Sequence, residues 1–518
     1  MSDTGPFSNI SWNEDDSPGR ATQTLRPASS GSGHQGKHKV SVVSIILAVV
    51  LIAAVVAAVV VMAKLGVLPT WALVLAVAVD GIVALGVASM LLLSGPNRHR
   101  GRFVVATVLS VLMIIGNLGV VKVGTDFLRF LGTDIQAPST NTVVYDVVVL
   151  KDGPADVAAL AGSEMGLVSD DPLVQPVRDK VAGMVQVEFV DSTPWSSTVA
   201  ALTGGQVTSM VIQDGYMQVF SDADPDQYAN LKILTSFEID RSLAATPSPS
   251  PSATATATPS PVPVGSAFIV YVSGNDEPGS LSASGRSDVN ILMVVNPDTG
   301  KVLLINTPRD YFVQLHGTTG LKDKLTHAGI YGVDMSVGTL EDLYGITINY
   351  YIRINFSSLI KIVDALGGVD VHSAYTFSAM GFNFVEGVNH LNGEQALAFS
   401  RERHSFEGGD RVRGENQERV IAAIIKRMSD PAVLVNYPSI LAATQGFVQT
   451  SMPQDTITAL IKNQLTTGRS WEVTSTSVTG SDALEYTYSM PGQRLYVMPP
   501  DQSSLDAAKA QISSILQG

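Results

Sequence analysis

The chain has no cysteine among its 518 residues, and charged residues make up only 15% of it. The absence of cysteine excludes disulfide bonds, thiolate nucleophiles and zinc sites with cysteine ligands. No P-loop, zinc-spacing or nucleophile-elbow pattern is present. The net charge is −14, and no DNA-binding motif is recognisable, so we expect no nucleic-acid partner.

Long apolar runs are present near the N-terminus, at residues 40–63, 71–93 and 103–121. Each is close to the roughly 20 residues that cross a bilayer as a helix. They are too long and too repeated for a cleavable signal peptide, so residues 40–121 are predicted to form three transmembrane helices. Asp80 and Asn117 fall within these spans, where we expect them to make helix contacts.

The orientation in the membrane follows from basic residues in the short flanks. Arg98, Arg100 and Arg102 lie between the second and third spans, whereas only Lys64 lies between the first and second. Because short cytoplasmic segments are enriched in lysine and arginine, the N-terminus is predicted inside and everything after the third span outside. Residues 1–39, rich in small polar residues, are predicted to be a disordered cytoplasmic tail.

The exported part divides at a segment rich in proline, serine, threonine and alanine, residues 243–265, which is typical of a linker. Before it, residues 140–242 alternate strand patterns (VVYDVVVL, MVQVEFV) with helical ones (VAALAGSEM, WSSTVAALTG), which predicts a small α/β accessory domain. This region contains no catalytic constellation. It could be a spacer or a docking module, and its partner is unknown.

After the linker, three apolar strands (AFIVYV, NILMVV and VLLI) end or begin in polar segments, and the turn NPDTGK pairs the second with the third. If the first strand also runs opposite to the second, Asp276, Arg286, Asp288 and Arg309 converge at one sheet edge. Two carboxylates beside arginines suit a hard divalent cation and phosphate. The alternative is an ordinary salt-bridged loop.

A second group of arginines lies in SRERHSFEGGDRVRGENQ, residues 400–417. We expect AFSRER to be extended, so that Arg401 and Arg403 point the same way. GENQERVIAAIIKRM is predicted to be a helix with Arg413 and Gln417 on its core-facing stripe. The arginine fork fits phosphate oxygens, so a phosphate or pyrophosphate is the expected partner. The alternative is a solvated helix end whose arginines pair with neighbouring acids.

These segments carry a resemblance to a known family. FIVYVSGNDEPG, GRSDVNILMVVNPDTGKVLLINTPRD, KDKLTHAGIYGVDMSVGTLEDLYGITINYY, LNGEQALAFSRER and GGDRVRGENQ resemble, in order and spacing, the LytR-CpsA-Psr (LCP) family, and most closely its capsule-associated CpsA branch. The resemblance covers residues 266–430. It implies an α/β fold, in which an α-β-α LCP domain with a central mixed sheet carries residues 431–518 as a packed C-terminal extension.

The resemblance also implies a function. Such proteins are phosphotransferases that move a glycopolymer, a capsular or wall polysaccharide, from an undecaprenyl-pyrophosphate carrier to peptidoglycan, with Mg²⁺ or Mn²⁺ as cofactor and a possible pyrophosphatase side activity. We therefore expect a multi-pass protein of the cytoplasmic membrane of a Gram-positive-type bacterium, with an extracellular catalytic domain. The competing hypothesis is that the protein is a polyprenyl-phosphate receptor or attenuator without turnover.

Site residues are transferred onto this sequence motif by motif, with Asp410 and Arg413 occupying the GD..R signature. Asn416 stands where many relatives have arginine. The resemblance implies metal ligands Asp276 and Asp288, catalytic residues Arg309, Asp410, Arg401 and Arg403, and pyrophosphate contacts Arg286, Arg309, Arg401, Arg403, Arg413, Gln417 and Lys324.

Two further segments have alternative interpretations. His327 in KLTHAG could act as an acid or base, or be a hydrogen-bonded structural residue. The helical pattern FSSLIKIVDAL could line an apolar slot for the polyprenyl chain, although such a stripe is more often plain core.

Overall fold

A computed structural model of the chain describes residues 41–66, 68–94, 100–129, 142–240, 243, 263, 265–275, 285–430, 433, 440 and 447–518. The predicted cytoplasmic tail, most of the predicted linker, Arg98 and the candidate metal ligand Asp276 lie outside these residues.

The three predicted spans are helical: α1 is Val42–Leu65, α2 is Thr70–Leu93 and α3 is Arg100–Arg129. All three are long and apolar enough to cross a membrane. Asp80 and Asn117, on neighbouring spans, contact each other: the Asn117 amide donates to Asp80 Oδ1 at 3.5 Å and to the Met113 carbonyl at 3.0 Å. Asn117 and Asp80 therefore make a contact between α2 and α3.

The accessory region forms a five-stranded sheet in the order β3-β2-β4-β1-β5 with short helices packed on it. Its elements are β1 Thr142–Leu150, β2 Glu164–Val168, α4 Val174–Ala182, β3 Glu188–Ser192, α5 Trp195–Thr203, β4 Ser209–Gln213, α6 Asp214–Ala223, α7 Pro225–Tyr228 and β5 Leu231–Asp240. The helix expected over VAALAGSEM is wrong. Only a 3₁₀ turn forms, at Ala158–Leu160, since Gly162 has a φ of 76° and strand β2 begins at Glu164.

The second folded domain is built on a six-stranded mixed sheet in the order β16-β11-β6-β7-β8-β17. Its strands are β6 Phe268–Asn275, β7 Val289–Asn296, β8 Lys301–Asn306, β9 Phe312–Val313, β10 Asp323–Lys324, β11 Tyr350–Asn355, β12 Val369–Ser373, β13 Phe377–Ala379, β14 Phe382–Phe384, β15 Gly387–Leu391, β16 Val448–Thr450, β17 Glu472–Ser477, β18 Ala483–Tyr486 and β19 Arg494–Val497. Its helices are α8 Leu325–Ala328, α9 Val333–Tyr344, α10 Phe356–Ala365, α11 Gly393–Arg401, α12 Gly409–Met428, α13 Gln454–Thr467 and α14 Gln502–Gln517, with a 3₁₀ turn at Gly329–Tyr331.

Successive residues of the sheet alternate between two cores. On one face, Leu292 and Leu303 pack with Leu340 of α9 and Leu505 of α14. On the other face, Val270, Ile291 and Leu304 pack with side chains of α12 and α13. Helices therefore cover both faces of a mixed sheet, and the predicted α-β-α fold class is confirmed.

The region after residue 430 is more than an extension packed on this fold. It supplies both edge strands of the sheet: β16 pairs with β11, and β17 pairs with β8 from Glu472 opposite Lys301 to Ser477 opposite Asn306. Helix α14 also contributes Leu505, Ala508 and Ile512 to a buried core. Without β17 the sheet would end at β8 with unpaired backbone groups, so the domain continues past the expected boundary.

Candidate functional site

The site lies at the edge of the central sheet that is formed by strand ends rather than by an edge strand. Four strands that run in the same direction come to an end there. Strands β6, β11, β8 and β17 end at Asn275, Asn355, Asn306 and Ser477, and β7, which runs in the opposite direction, begins at Val289. Segments that follow strands of one direction meet at the same sheet edge, which is where open α/β sheets bind ligands.

An alternating row of charges occupies this edge. Arg309 Nη1 donates to Asp288 Oδ1 at 2.8 Å, Arg309 Nε lies 3.5 Å from Asp310 Oδ2, and Lys324 Nζ lies 2.9 Å from Asp310 Oδ1. These side chains are between 9% and 21% exposed, so the row is largely withdrawn from water but open at its surface. The expected approach of Asp288 to Arg309 is therefore present, and Lys324 joins it through Asp310.

Asp310 is absent from the predicted site residues. Its position directly after Arg309 in NTPRD is the sequence signal that identifies it in retrospect, because both residues follow a strand that ends at the site.

The segment that carries Asp288 is anchored by a buried polar network. The Ser287 hydroxyl lies 2.9 Å from the Tyr271 hydroxyl and 2.8 Å from the Ser273 hydroxyl, and Asn290 Nδ2 donates to the Ser287 carbonyl at 2.8 Å. Ser287 is 2% exposed. Buried polar groups with complete partners hold one conformation, so Asp288 is presented at a defined position.

Arg286, two residues before Asp288, contacts the accessory domain. Its backbone N–H donates to Gln218 Oε1 at 3.0 Å. Burial, reinforced by the neighbouring Asp146, raises the pKa of Asp214 to about 6, and the positive charge of Arg286 opposes this rise. Arg286 therefore lies within electrostatic reach of Asp214.

The extended conformation expected for AFSRER is wrong, because Gly393–Arg401 forms helix α11. A reciprocal capping box starts this helix: Asn392 Oδ1 accepts from Gln395 N at 2.9 Å, and Gln395 Oε1 accepts from Asn392 N at 3.0 Å. The sequence NGEQALA carries this signal, with an N-cap asparagine and glutamine three residues later.

Arg401 is nevertheless brought to the sheet edge, because it ends α11 with its guanidinium carbon 4.4 Å from the centre of the Phe356 ring. Phe356 begins α10 directly after β11, so it belongs to the same edge as Asn275. Arg403 lies beyond the helix and is exposed, with its Nε 3.4 Å from His404 Nε2.

The predicted helix over GENQERVIAAIIKRM forms as part of α12, which crosses the end of β8. A Cβ placed on Gly414 would lie 2.2 Å from Asn306 Nδ2, and Glu418 Oε1 accepts from Asn306 N at 3.0 Å. Helix α12 therefore lies against the end of β8, three residues before Arg309, and Arg413 next to Gly414 is half-buried.

The remaining residues of this helix divide between surface and core. Arg411 pairs with Glu415 one turn away, in the manner of a solvated helix face. Gln417 Nε2 lies 3.4 Å from the Ser400 carbonyl. Asp410 lies in the first turn of α12, and its side chain is outside the described part of the chain.

Asn416 is 1% exposed between two helices. Its Nδ2 lies 3.5 Å from the Phe399 carbonyl of α11, and its Oδ1 accepts from Arg419 Nη1 at 2.7 Å. These contacts give it a packing role.

His327 is fully buried, and its Nδ1 lies 2.6 Å from Asp323 Oδ1. Burial alone would raise the pKa of Asp323, but the charge of His327 and the hydrogen bonds from His327 and Ser489 lower it overall. This geometry favours the structural interpretation of His327.

The helix predicted over FSSLIKIVDAL forms as α10. Leu359, Val363 and Leu366 are buried against α11 and α12, as expected for core. Phe356 and Ile360 are only partly buried.

Within the described residues, no group of three or more histidine, aspartate and glutamate side chains could hold a metal ion. Of the two predicted metal ligands, only Asp288 lies within the described residues.

The LytR_cpsA_psr family model matches residues 238–511, more than half of the chain. The chain therefore belongs to the LytR-CpsA-Psr family, as its motifs predict. The matched range includes strands β16 and β17, in agreement with the continued sheet. Membership of the CpsA branch stays a prediction.

Among its relatives is the polyisoprenyl-teichoic acid--peptidoglycan teichoic acid transferase TagU of Bacillus mycoides (strain KBAB4), 39% identical over 195 residues, which are 38% of this chain and 63% of that protein. TagU of Oceanobacillus iheyensis is 37% identical over 186 residues, 35% of this chain and 58% of the relative. The match thus spans less than two thirds of these relatives. Among solved structures, B. subtilis TagV is 28% identical with a TM-score of 0.42, covering 49% of this chain and 98% of that one.

Proposed function

We propose that this protein is a membrane-anchored phosphotransferase that moves a glycopolymer from a polyprenyl-pyrophosphate carrier to peptidoglycan. The observation that carries the proposal is the row Asp288, Arg309, Asp310 and Lys324 at the sheet edge. Two cations alternate with two carboxylates in this row, which is largely withdrawn from water, and arginine and lysine side chains suit the oxygens of a phosphate ligand. The names of the TagU relatives support the reaction class.

In the proposed reaction, a hydroxyl oxygen of peptidoglycan forms a bond to the phosphorus that carries the glycopolymer. The bond from this phosphorus to the bridging oxygen breaks, and polyprenyl phosphate leaves with the pair of electrons. The hydroxyl proton passes to an acceptor base or to water. Arg309 and Lys324 stabilise the charge that develops on the phosphate oxygens, and Arg401, Arg403, Arg413 and Gln417 complete the pyrophosphate site from α11 and α12.

A Mg²⁺ or Mn²⁺ ion fits the donor set when the substrate supplies the rest. Asp288 Oδ1 accepts from Arg309, whereas its Oδ2 hydrogen-bonds to no residue in the described part of the chain. Magnesium is commonly held by one or two carboxylates together with water and substrate phosphates, so a cluster of three acids is not required. Asp288 and Asp276 would hold the ion, which supplies neutralisation of phosphate charge.

The finer assignments are part of the same proposal. The carrier is undecaprenyl pyrophosphate, the polymer a capsular or wall polysaccharide, and hydrolysis of the pyrophosphate a side activity. The catalytic domain lies outside the cytoplasmic membrane of a Gram-positive-type cell, and Asp410 takes part in catalysis. The second candidate, a receptor that binds polyprenyl phosphate without turnover, is favoured by the partly buried Phe356, which contacts Arg401 and suits a lipid chain.

Replacing the proposed metal ligands separates enzyme from receptor. The double variant Asp276→Asn and Asp288→Asn should abolish metal-dependent attachment of polymer to peptidoglycan, because the amide lacks the charge that a hard cation needs. Lipid should still co-purify with the protein, since the arginines and apolar side chains are unchanged. The measurement is polymer attached to peptidoglycan in cells, beside the lipid content of the purified protein by mass spectrometry.

Asp342→Asn is the matched control, because Asp342 is exposed on α9 and pairs only with His316 among the described residues. Normal attachment with normal lipid content in the double variant would end the enzymatic proposal and support the receptor.

A further inference from the structure

The accessory domain packs directly on the catalytic domain through its helices α5 and α6. Trp195 Nε1 donates to the Ser489 carbonyl at 2.7 Å, and the Trp195 ring stacks on Tyr216 with 5.3 Å between ring centres. A Cβ on Gly215 would lie 2.1 Å from Ile330 Cγ2, so α6 touches the catalytic domain at a position where only glycine fits. The two domains therefore share a close, partly aromatic interface.

This interface adjoins the segment that carries Arg286. On one side of the segment, Gly285 N and Ser287 N donate to the carbonyls of Gly329 and Thr326, each at 3.2 Å. In an extended segment the N–H between two such donors points to the opposite side. The Arg286 N–H therefore needs a hydrogen-bond acceptor on the side away from the Thr326 and Gly329 carbonyls.

The accessory domain supplies that partner as Gln218 Oε1, at 3.0 Å from Arg286 N. The orientation of the Gln218 amide is set within α6, because Gln218 Nε2 donates to Asp214 Oδ2 at 2.8 Å, one turn earlier. With its nitrogen held by Asp214, the amide presents its oxygen to Arg286. The positive charge of Arg286 also acts on Asp214, because it opposes the rise that burial causes in the pKa of Asp214.

We infer that Gln218, held by Asp214, is a positioning residue through which the accessory domain places Arg286 for the transfer reaction. This inference rests on the proposed function, in which Arg286 contacts the pyrophosphate. The accessory domain then acts as a part of the catalytic machinery rather than as a spacer. A small displacement of a charged group that contacts the substrate lowers the reaction rate strongly. Loss of the Gln218 oxygen should therefore lower the rate of transfer, although Gln218 itself lies in the accessory domain.

A double-mutant cycle with Arg286 tests the inference in the full-length protein, solubilised in detergent. The assay follows transfer from an undecaprenyl-pyrophosphate-linked disaccharide to purified peptidoglycan. Gln218→Ala should lower kcat/KM by on the order of tenfold. In an Arg286→Ala background the same substitution should have an effect of less than about twofold, because the backbone contact then has no guanidinium side chain to position.

Two further variants sharpen the comparison. Gln175→Ala removes an exposed glutamine of α4 that also donates to an aspartate one turn away, Asp179 at 2.8 Å, and it should leave transfer unchanged. The double variant Asp214→Asn with Gln218→Glu keeps the net charge and keeps an oxygen acceptor at position 218. Its transfer activity should therefore be much higher than that of Gln218→Ala.

Hydrogen exchange provides a readout that does not depend on transfer. The peptide containing residues 285–288 should exchange faster in Gln218→Ala than in the wild type, and at the wild-type rate in Gln175→Ala. Unchanged exchange in Gln218→Ala, or equal losses of activity with and without Arg286, would overturn the positioning role. A wild-type protein without transfer activity would overturn the proposed function and the catalytic part of this inference, whereas exchange would still decide whether Gln218 orders the segment.

Discussion

Glu418 offers a prediction whose size can be worked out from the structure. Its side chain is 2% exposed beneath the site, where Oε1 accepts from Asn306 N at 3.0 Å. Burial raises the pKa of this carboxyl from 4.5 to about 8; the hydrogen bond from Asn306 opposes the rise and the charge of Glu415 adds to it. At neutral pH the folded protein thus keeps a proton that the unfolded chain has released.

The direction of the pH dependence follows from this difference in bound protons. Below pH 4.5 both states carry the proton, and Glu418 has no effect on the pH dependence of stability. Between pH 4.5 and about 8 the folded state binds more protons than the unfolded state, so its stability falls as the pH rises. Above pH 8 the loss is complete. At about 1.4 kcal/mol per pKa unit it is on the order of 4 to 5 kcal/mol.

Glu418→Gln keeps the oxygen that accepts from Asn306 and removes the ionisation. The variant should unfold at nearly the wild-type temperature at pH 4.5 and at a higher one at pH 8.5. A domain of this size shifts its Tm by about 2 to 4 °C per kcal/mol, so the difference at pH 8.5 should be roughly 8 to 20 °C. The assay is thermal unfolding of the detergent-solubilised protein at the two pH values.

Glu472→Gln, which neutralises an exposed carboxylate at the start of β17, is the control and should show the same small difference from wild type at both pH values. If the Tm difference between Glu418→Gln and wild type does not grow from pH 4.5 to pH 8.5, the reasoning about burial is refuted.

Two further predictions concern the charged row and the membrane orientation. Arg309→Ala and Arg401→Ala should each reduce polymer transfer by roughly 10² to 10³, the loss associated with removing one preorganised charge-stabilising donor, with unchanged circular dichroism; a folded variant with wild-type transfer would remove that residue from the site. A reporter enzyme fused after Gly265 should be active only outside the membrane, and one fused before the first span only inside, so an exported N-terminal reporter would reverse the orientation.

Local features of the sequence determined much of this protein. The length of three apolar runs predicts helices α1 to α3, because a helix must be that long to cross a bilayer. The turn at NPDTGK pairs β7 with β8, since its ends are close in the chain and the strands need only fold back. The same hairpin places Asp288 near Arg309, and a periodic apolar stripe predicts α12.

The tertiary structure decided what depends on contacts between distant segments. Strand β17 pairs with β8 across more than 160 residues, and β16 is a three-residue strand that carries little pattern of its own. Arg286 meets Gln218 from another domain, and Arg401 reaches Phe356 from the end of a helix. Local propensity and periodicity act over a few turns of the chain. These pairings depend instead on the register of the whole sheet and on how the two domains dock. Neither property can be predicted from a short stretch of the sequence.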